Sequence, residues 1–250
     1  MKHLDLDAVA DYIRLHIGPE FHDKKIKKVN GITLDDILKR KNPYLFKAKG
    51  TQTAHDLLKS VLGATVSSGE ETLFGNFLEQ LAIYVNQEAH GGRKSGIKGV
   101  DLEFEEGHEK FLVSIKSGPN WGNSGQIENL IKRFNEAKKI ISTSSGAKRM
   151  TIICVEGCCY GTDHRPEKGT HRKLCGQEFW SFISGGHESL YQELIQPLGE
   201  KAKEKNLEIE TLLSEKLNLF TAEFVKKFCN KQGKIDWNAL LAYNSGKNPS

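Results

Sequence analysis

Residues 98–126 read KGVDLEFEEGHEKFLVSIKSGPNWGNSGQ and contain two runs in which apolar and polar residues alternate. The runs GVDLEF (99–104) and KFLVSIK (110–116) have the period of two that is typical of strands. Gly107 lies between them at the spacing of a hairpin turn. The stretch therefore predicts two adjacent strands, followed by a loop rich in Gly, Pro and Asn.

A long apolar helix is expected before the hairpin. Ser68 and Glu71 form a capping-box pattern just before TLFGNFLEQLAIYV (72–85), which is apolar over most of its circumference. Such a helix is buried rather than lying on a surface. We expect Gly91 and Gly92 to end it.

A helix and a third strand are expected after the hairpin. Ser124 is a candidate N-cap for a helix whose apolar residues recur every three to four positions up to Ile141. MTIICVEGCCYG (150–161) reads as a buried strand, and a polar loop runs from there to about Lys173. The order helix–strand–strand–helix–strand predicts the α/β class, with a mixed central sheet flanked by helices.

Helical additions are predicted at both ends of a single domain. Residues 1–62 read as helical, and residues 186–250 read mainly as a charged helical tail. A chain of 250 residues suits one elaborated domain. We therefore expect one domain over 1–250, whose core occupies residues 63–185.

The composition is that of a soluble globular protein. Hydrophobic residues make up 38% of the chain and charged residues 27%, and no apolar run approaches the ~20 residues that span a bilayer. The net charge of +4 permits nucleic-acid binding without requiring it. Five cysteines without a secretory signal indicate reduced thiols, so we expect a cytoplasmic protein.

The predicted hairpin brings acids and a lysine together. Ser114 and Lys116 share one face of their strand because side chains alternate, and Asp101 and Glu103 share one face of the other. Carboxylates beside an ammonium suit a hard cation such as Mg²⁺ and a scissile phosphate. The alternative is a solvated face with ordinary cross-strand Lys–Glu pairs.

The loop SGPNWGNSGQ (117–126) is a candidate for DNA contact because it leads into the start of a helix. Backbone amides at a helix start bind phosphates, and amide or indole side chains suit DNA. The candidate side chains are those of Asn120, Trp121, Asn123, Ser124 and Gln126. Alternatively, the loop is a turn in which the indole is only a packed anchor.

Two basic segments are further candidates for DNA binding. Arg93 and Lys94 lie within residues 91–99, a stretch without acids. The loop DHRPEKGTHRK (163–173) carries side chains that can reach guanine edges or phosphates. Its candidates are His164, Arg165, His171 and Arg172. The alternative for this loop is an exposed, solvated segment.

Cysteines and histidines also cluster between residues 154 and 175. Cys158 or Cys159 could hold zinc together with His164, His171 and Cys175, but the spacing lacks a C-x₂-C pair. Cysteines in or beside an apolar strand usually act as small hydrophobic residues. Zinc binding is therefore the less favoured interpretation.

Several phrases resemble the PD-(D/E)XK nuclease superfamily, and more specifically its PmeII-like type II restriction endonucleases. They are KNPYLFKAKG, SSGEETLFGNFLEQLA, VSIKSGPNWGNSGQI, EGCCYG and CGQEFW, and they span residues 41 to 180. The resemblance implies a PD-(D/E)XK nuclease core with helical additions. It also implies Mg²⁺-dependent, sequence-specific hydrolysis of double-stranded DNA to 5′-phosphate ends.

The resemblance assigns roles to the hairpin residues. Asp101 is then the metal-binding aspartate and Lys116 the catalytic lysine. The (D/E)XK triplet reads Ser114-Ile115-Lys116 here, so its second acid is missing. Ser114 takes the place of that acid, and the backbone carbonyl of Ile115 can complete the metal shell.

Another carboxylate is expected to be recruited in place of the missing acid. Glu79 on the buried helix and Glu128, twelve residues after Lys116, are the helical candidates, and Glu79 is favoured. Glu103 or water ligands are the remaining options.

The implied partners follow from cutting both strands of a palindromic site. Such a reaction needs two active sites related by a two-fold axis, so a homodimer is expected. A cognate DNA methyltransferase would act on the same site without forming a stable complex. Two alternatives stay open: a PD-(D/E)XK nuclease of repair or of a mobile element, and a DNA-binding protein whose nuclease core is inactive.

Overall fold

The structure of the protein is a computed structural model, which describes residues 4–143, 150–200 and 202–246. The chain divides into two compact units: Met1–Ile17 with Phe74–Glu200, and Gly18–Leu73 with Lys201–Ser250. Within the described residues, no helix is long and apolar enough to cross a membrane.

Helices make up most of the described chain. In chain order they are α1 (Leu6–Ile17), α2 (Lys24–Gly31), α3 (Leu34–Arg40), α4 (Pro43–Ala48), α5 (Ala54–His90), α6 (Ser124–Thr143), α7 (Gln177–Ile183), α8 (Leu190–Glu193), α9 (Ile195–Gly199), α10 (Ala202–Phe228) and α11 (Trp237–Asn244). A π-helical segment, Gly18–Asp23, joins the first two.

The first unit contains a mixed sheet. Its described strands are β1 (Arg93–Lys94), β2 (Leu102–Glu106), β3 (Glu109–Lys116), β4 (Thr151–Cys158) and β5 (Arg172–Cys175), and they lie side by side in that order. The pairs β1–β2 and β2–β3 are antiparallel, whereas β3–β4 and β4–β5 are parallel. Helix α6 lies in the connection between β3 and β4, since parallel neighbours need a long crossover.

Helix α6 covers one face of this sheet. Leu112 of β3 and Cys154 of β4 form a buried cluster with Leu130, Phe134 and Ala137 of the helix. Because side chains alternate along a strand, Ser114 and Lys116 point to the same face as Leu112. The candidate residues therefore lie on the α6 side of the sheet.

Aromatic rings cover the opposite face. Phe104 of β2 stacks on its cross-strand partner Phe111, with ring centroids 4.9 Å apart. Phe182 of α7 lies 5.4 and 5.1 Å from these two rings, and His90 at the end of α5 lies 4.8 Å from Phe104. This contact set fixes the hairpin between layers of helices.

The second unit has its own helical core. Side chains of α3, the first half of α5, α10 and α11 form one buried cluster that includes Leu58, Phe224 and Phe228. Helix α3 starts with a capping box in which Thr33 and Asp36 bond reciprocally. This core is separate from the sheet that carries the candidate site.

The predicted α/β class and the mixed sheet flanked by helices are confirmed. The hairpin β2–β3 turns at Gly107, whose φ of +59° is a left-handed conformation that suits glycine. The long helix ends at His90, directly before Gly91, as expected.

The predicted start of that helix at Ser68 is wrong. Helix α5 begins fourteen residues earlier, at Ala54, and Ser68 Oγ donates to the carbonyl of Ala64 at 2.9 Å inside it. Thr53 accepts the amide of Asp56 at 3.1 Å and caps the true start. Residues 68–71 lie inside α5, where backbone amides are already bonded to carbonyls of the preceding turn. A cap is therefore not needed at Ser68.

The cap of α6 also differs by one residue from the prediction. Asn123, not Ser124, accepts the amide of Gln126 at 3.1 Å, and the Gln126 side chain accepts the amide of Asn123 at 2.9 Å.

The edge strands β1 and β5 were not predicted, because two and four residues are too short to show a period of two.

Substituting Gly157 tests the packing of helix α7 on β4. A Cβ at this position would lie 2.2 Å from Cε2 of Phe179, which is fully buried. We expect Gly157→Ala to lower the free energy of unfolding by roughly 1–3 kcal/mol, because the ring must move within a close-packed core. Chemical denaturation measures the change.

Gly63→Ala is the matched control. Gly63 is exposed on α5, and a Cβ there meets nothing within 4 Å. This change should raise the free energy of unfolding by about 1 kcal/mol through helix propensity. Equal effects of the two substitutions would contradict the packing described for Gly157.

Candidate active site

Asp101 is held at the start of β2 by the backbone of β3. Its amide donates to the carbonyl of Val113 at 2.8 Å, and its carboxylate Oδ2 accepts the amide of Ile115 at 2.7 Å. Ser114 Oγ lies 3.3 Å from the same oxygen. The register pairs Leu102 with Val113, so Asp101 stands opposite Ser114 on the same face. The carboxylate is therefore fixed, yet about a quarter exposed.

The ammonium of Lys116 lies beside that carboxylate. Lys116 Nζ donates to Ser114 Oγ at 2.9 Å and to the Ile115 carbonyl at 3.1 Å, and it lies 4.0 Å from Asp101 Oδ2. The ring centroid of Trp121 is 4.9 Å away, within cation–π range. The structure thus brings together the hairpin residues that the sequence singled out.

These residues line a cleft of about 220 Å³ between the sheet and α6. Asp101, Ser114 and Lys116 form its floor, and Asn129 and Arg133 of α6 line it from the helix side. Neither of these α6 residues was identified from the sequence.

Gly99 is the residue of the sequence that relates to the position of Arg133. Gly99 has a φ of +85°, and a Cβ there would lie 2.2 Å from Cδ of Arg133. The absent side chain lets the arginine cross this point and reach the cleft. A cation here suits a phosphate.

Glu79 of α5 is electrostatically coupled to the same cluster. Burial and, next, the negative charge of Asp101 raise the pKa of Glu79, while Lys94 and Lys116 oppose the shift. Lys94 Nζ lies 3.6 Å from Glu79 Oε1, and the glutamate side chain is 27% exposed. A carboxylate whose ionisation is opposed by burial and by a neighbouring negative charge is a favourable place for a cation.

The donor atoms fit a hard divalent ion. Asp101, Glu79, the Ser114 hydroxyl and the Ile115 carbonyl offer only oxygen, the ligand type that Mg²⁺ prefers. No group of three His, Cys, Asp or Glu side chains that could hold a metal occurs among the described residues. Any ion here would rely on backbone, hydroxyl or water ligands beside the two acids.

The structure places the other two candidate acids away from the cleft. Glu128 is exposed on α6 and does not line the cleft, because Asn129 and Arg133 occupy the inward side of the helix. Glu103 is buried and pairs with Arg93 at 2.6 Å. The position of Glu128 in the sequence alone could not show whether its side chain lies on the cleft side of α6.

The DNA-contact candidates divide by exposure. Asn120, His164 and Arg165 are exposed, and so are Arg93 and Arg172, which pair with Glu103 and Glu167. The Asn123 and Gln126 side chains are engaged in the helix cap, and Ser124 is the first exposed residue of α6. Lys94 is exposed but pairs with Glu79.

His171 does not lie on an exposed loop, contrary to the expectation for the 163–173 segment. Its side chain is 2% exposed, and Nε2 lies 3.2 Å from Glu156 Oε2. The ring also lies 5.5 Å from that of Phe134 in the α6 layer. The residue is buried because the start of β5 carries it under the sheet edge.

Glu156 is a residue that the sequence interpretation missed. It lies on β4 opposite Ser114, and its side chain is 4% exposed. Burial opposes its ionisation, but hydrogen bonds from His171, Lys173 and Trp121 outweigh burial and lower the pKa of Glu156 to about 2. A lone acid inside the apolar run of β4 was the available signal, because a buried charge needs partners.

The cysteines of this region are buried thiols. Cys158 and Cys175 are cross-strand partners on β4 and β5, and burial raises the pKa of both. His171 bonds to Glu156, and His164 is exposed. The candidate zinc ligands are thus not assembled, within the part of the chain that the structure describes.

A comparison with known proteins gives the family. The model of the family "Type II restriction endonuclease EcoO109I" matches residues 7–206, which include every residue of the cleft. No curated protein matches the chain. Since the match covers far more than half of the 250 residues, the chain belongs to the type II restriction endonuclease EcoO109I family.

Proposed function

We propose that this protein is a Mg²⁺-dependent type II restriction endonuclease with a PD-(D/E)XK core of the PmeII-like kind. It hydrolyses phosphodiester bonds at a specific sequence of double-stranded DNA. The observation that carries this proposal is the convergence of Asp101, Ser114 and Lys116 at one cleft of a chain from a restriction endonuclease family.

Asp101 and Glu79 would hold the metal ion, with the Ile115 carbonyl as a backbone ligand. Their oxygen atoms, and the raised pKa of Glu79 beside the charge of Asp101, support this assignment. When bound, Mg²⁺ supplies Lewis-acid stabilisation of the phosphate and lowers the pKa of a water molecule. The amide of Ile115 keeps the Asp101 carboxylate oriented toward the cleft.

Lys116 positions the attacking water and stabilises the charge that develops on the phosphate. The water gives up a proton to solvent as its oxygen bonds to phosphorus, the bond to the 3′ oxygen breaks, and that oxygen takes up a proton. The products are a 5′-phosphate and a 3′-hydroxyl. Ser114, 2.9 Å from Lys116 Nζ, orients the ammonium in the place where related nucleases carry an acid.

DNA contacts are proposed around the cleft. Arg133 lies at the cleft itself, and the exposed side chains of Asn120, His164, Arg165 and Arg172 extend the surface. Basic side chains contribute phosphate contacts and, where they reach a groove, contacts to base edges.

The biological setting is part of the proposal. The chain acts as one restriction-endonuclease domain in the cytoplasm, and two copies form a homodimer that cuts both strands. A cognate methyltransferase protects the host site. A DNA-binding protein with an inactive core is the competing function, and the cleavage experiment below distinguishes the two.

Removing the ammonium of Lys116 or the carboxylate charge of Asp101 should strongly slow DNA cleavage. Wild-type protein with Mg²⁺ should cut unmethylated mixed-sequence DNA into discrete fragments, and EDTA should prevent cutting. We expect Lys116→Ala and Asp101→Asn each to lower the single-turnover rate by about 10²-fold or more, because charge stabilisation or metal binding is lost. Gel analysis of the fragments, with mapping of their ends, provides the measurement.

Lys110→Ala is the matched control for Lys116→Ala. Lys110 lies on the same face of β3 but at its other end, where it pairs with Glu105 at 3.2 Å. Its loss should leave the cleavage rate unchanged. Uncut DNA with wild-type protein over a wide range of Mg²⁺, Mn²⁺ and salt would instead favour the inactive DNA-binding protein.

The substitution Glu79→Gln should weaken the binding of Mg²⁺. We expect the Mg²⁺ concentration at half-maximal rate to rise about tenfold or more, because one of two carboxylate ligands is lost. Glu128→Gln provides the comparison, since Glu128 is exposed outside the cleft and should leave this concentration unchanged. A larger effect of Glu128→Gln would show that the acid is recruited from α6.

A further inference from the structure

We propose that Glu156 is a positioning residue for hydrolysis, because its buried carboxylate holds the indole of Trp121 against the ammonium of Lys116. Trp121 lines the cleft and Glu156 does not, so Glu156 acts through Trp121. The inference rests on the proposed function of Lys116.

The carboxylate of Glu156 is fully engaged. Oε1 accepts the indole N–H of Trp121 at 2.7 Å and the ammonium of Lys173 at 2.9 Å, and Oε2 lies 3.2 Å from Nε2 of His171. Its side chain is 4% exposed. A buried ion pair adds little net stability compared with an apolar replacement, so its presence invites a role beyond folding.

The bond to Trp121 fixes the indole at the mouth of the cleft. Trp121 lies in the glycine-rich loop between β3 and α6, and it also packs against the buried cluster of α6. A charge-assisted hydrogen bond at the ring nitrogen orients the ring. That ring then lies 4.9 Å from Lys116 Nζ, which also donates to Ser114 and Ile115.

The bond between Glu156 and Trp121 therefore limits the positions that the ammonium of Lys116 can take. A lysine side chain has four rotatable bonds, and a small displacement of a catalytic group can cost about 10²-fold in rate. Lys173 reinforces the arrangement, since its Nζ also donates to the Pro119 carbonyl at 2.8 Å in the same loop. Glu156 thus anchors the Trp121 loop both directly and through Lys173.

The indole contact can be observed directly in the full-length protein. Labelling tryptophan with ¹⁵N gives one indole N–H resonance for each of the three tryptophans, assigned by single Trp→Phe variants. In Glu156→Gln the Trp121 resonance should shift upfield, because a neutral amide accepts more weakly than a carboxylate. The Trp180 and Trp237 resonances should stay in place and report an intact fold.

The rates of single-turnover cleavage test the role. At saturating protein, on a DNA fragment whose site is mapped from the wild-type digest, we expect Glu156→Gln and Trp121→Phe each to slow cleavage about 10- to 100-fold. In Glu156→Gln the affinity for DNA should stay within about twofold. The double variant should be no slower than the slower single variant, because both changes break one connection.

Trp237→Phe is the matched control. Trp237 also lies beside a lysine ammonium, 5.2 Å from Nζ of Lys47, but in the other unit of the chain. It should cleave at the wild-type rate. If Glu156→Gln does not fold, Trp121→Phe replaces it, since that change leaves the Glu156–Lys173 pair intact.

Two results would overturn the inference. One is wild-type cleavage by Glu156→Gln in spite of a shifted Trp121 resonance, or by Trp121→Phe. The other is a double variant whose rate loss is the product of the two single losses. Failure of the proposed function gives a different pattern, in which wild-type protein does not cut or Lys116→Ala cuts as well as wild type.

Discussion

The antiparallel register of β2 and β3 is the constraint on which the candidate site depends. Pairing of Leu102 with Val113 sets Asp101 opposite Ser114, and a slip by one residue would carry the aspartate to the opposite face. The register is held by the stacked rings of Phe104 and Phe111. Just before β2 the chain leaves the ladder, so the Asp101 carboxylate takes the amide of Ile115 that a longer strand would have paired. One side chain thereby ends the ladder and enters the cleft.

The charges around the cleft follow from this geometry. Burial and, next, the negative charge of Asp101 disfavour ionisation of Glu79 and raise its pKa. Lys94 and Lys116 offset it in part. A divalent cation between the two carboxylates would relieve their repulsion more fully than an ammonium. The same arrangement therefore makes the two acids a costly pair in isolation and a favourable one around a metal.

The periodicity of apolar residues in the sequence predicted part of the candidate site. The hairpin and the shared face of Ser114 and Lys116 follow from alternation along single strands, and the structure has both. Alternation says nothing about which side of a helix faces the sheet, so Glu128 was a reasonable candidate that lies outside the cleft. The partners of Glu156 come from segments 15 to 35 residues away, and no local pattern brings them together. The burial of His171 depends on the short strand β5, which was equally invisible.

In the proposed active site, the serine of the Ser114-Ile115-Lys116 triplet affects the electrostatics of the lysine as well as the set of metal ligands. A carboxylate at position 114 would form a second ion pair with Lys116, beside the one with Asp101 at 4.0 Å. The hydroxyl, the carbonyl and the indole ring add no further negative charge, so the positive charge of the ammonium is only partly compensated. That charge is then available to a phosphate. Glu156 stands opposite Ser114 on β4, but its oxygens already have four partners, so it cannot take the place of an acid at position 114. The partners are Trp121, His171, Lys173 and Cys158. Glu79 reaches the cluster from helix α5, where it pairs with Lys94 at 3.6 Å. In the proposed mechanism the two glutamates therefore differ in role: Glu79 holds the cation, whereas Glu156 holds the indole.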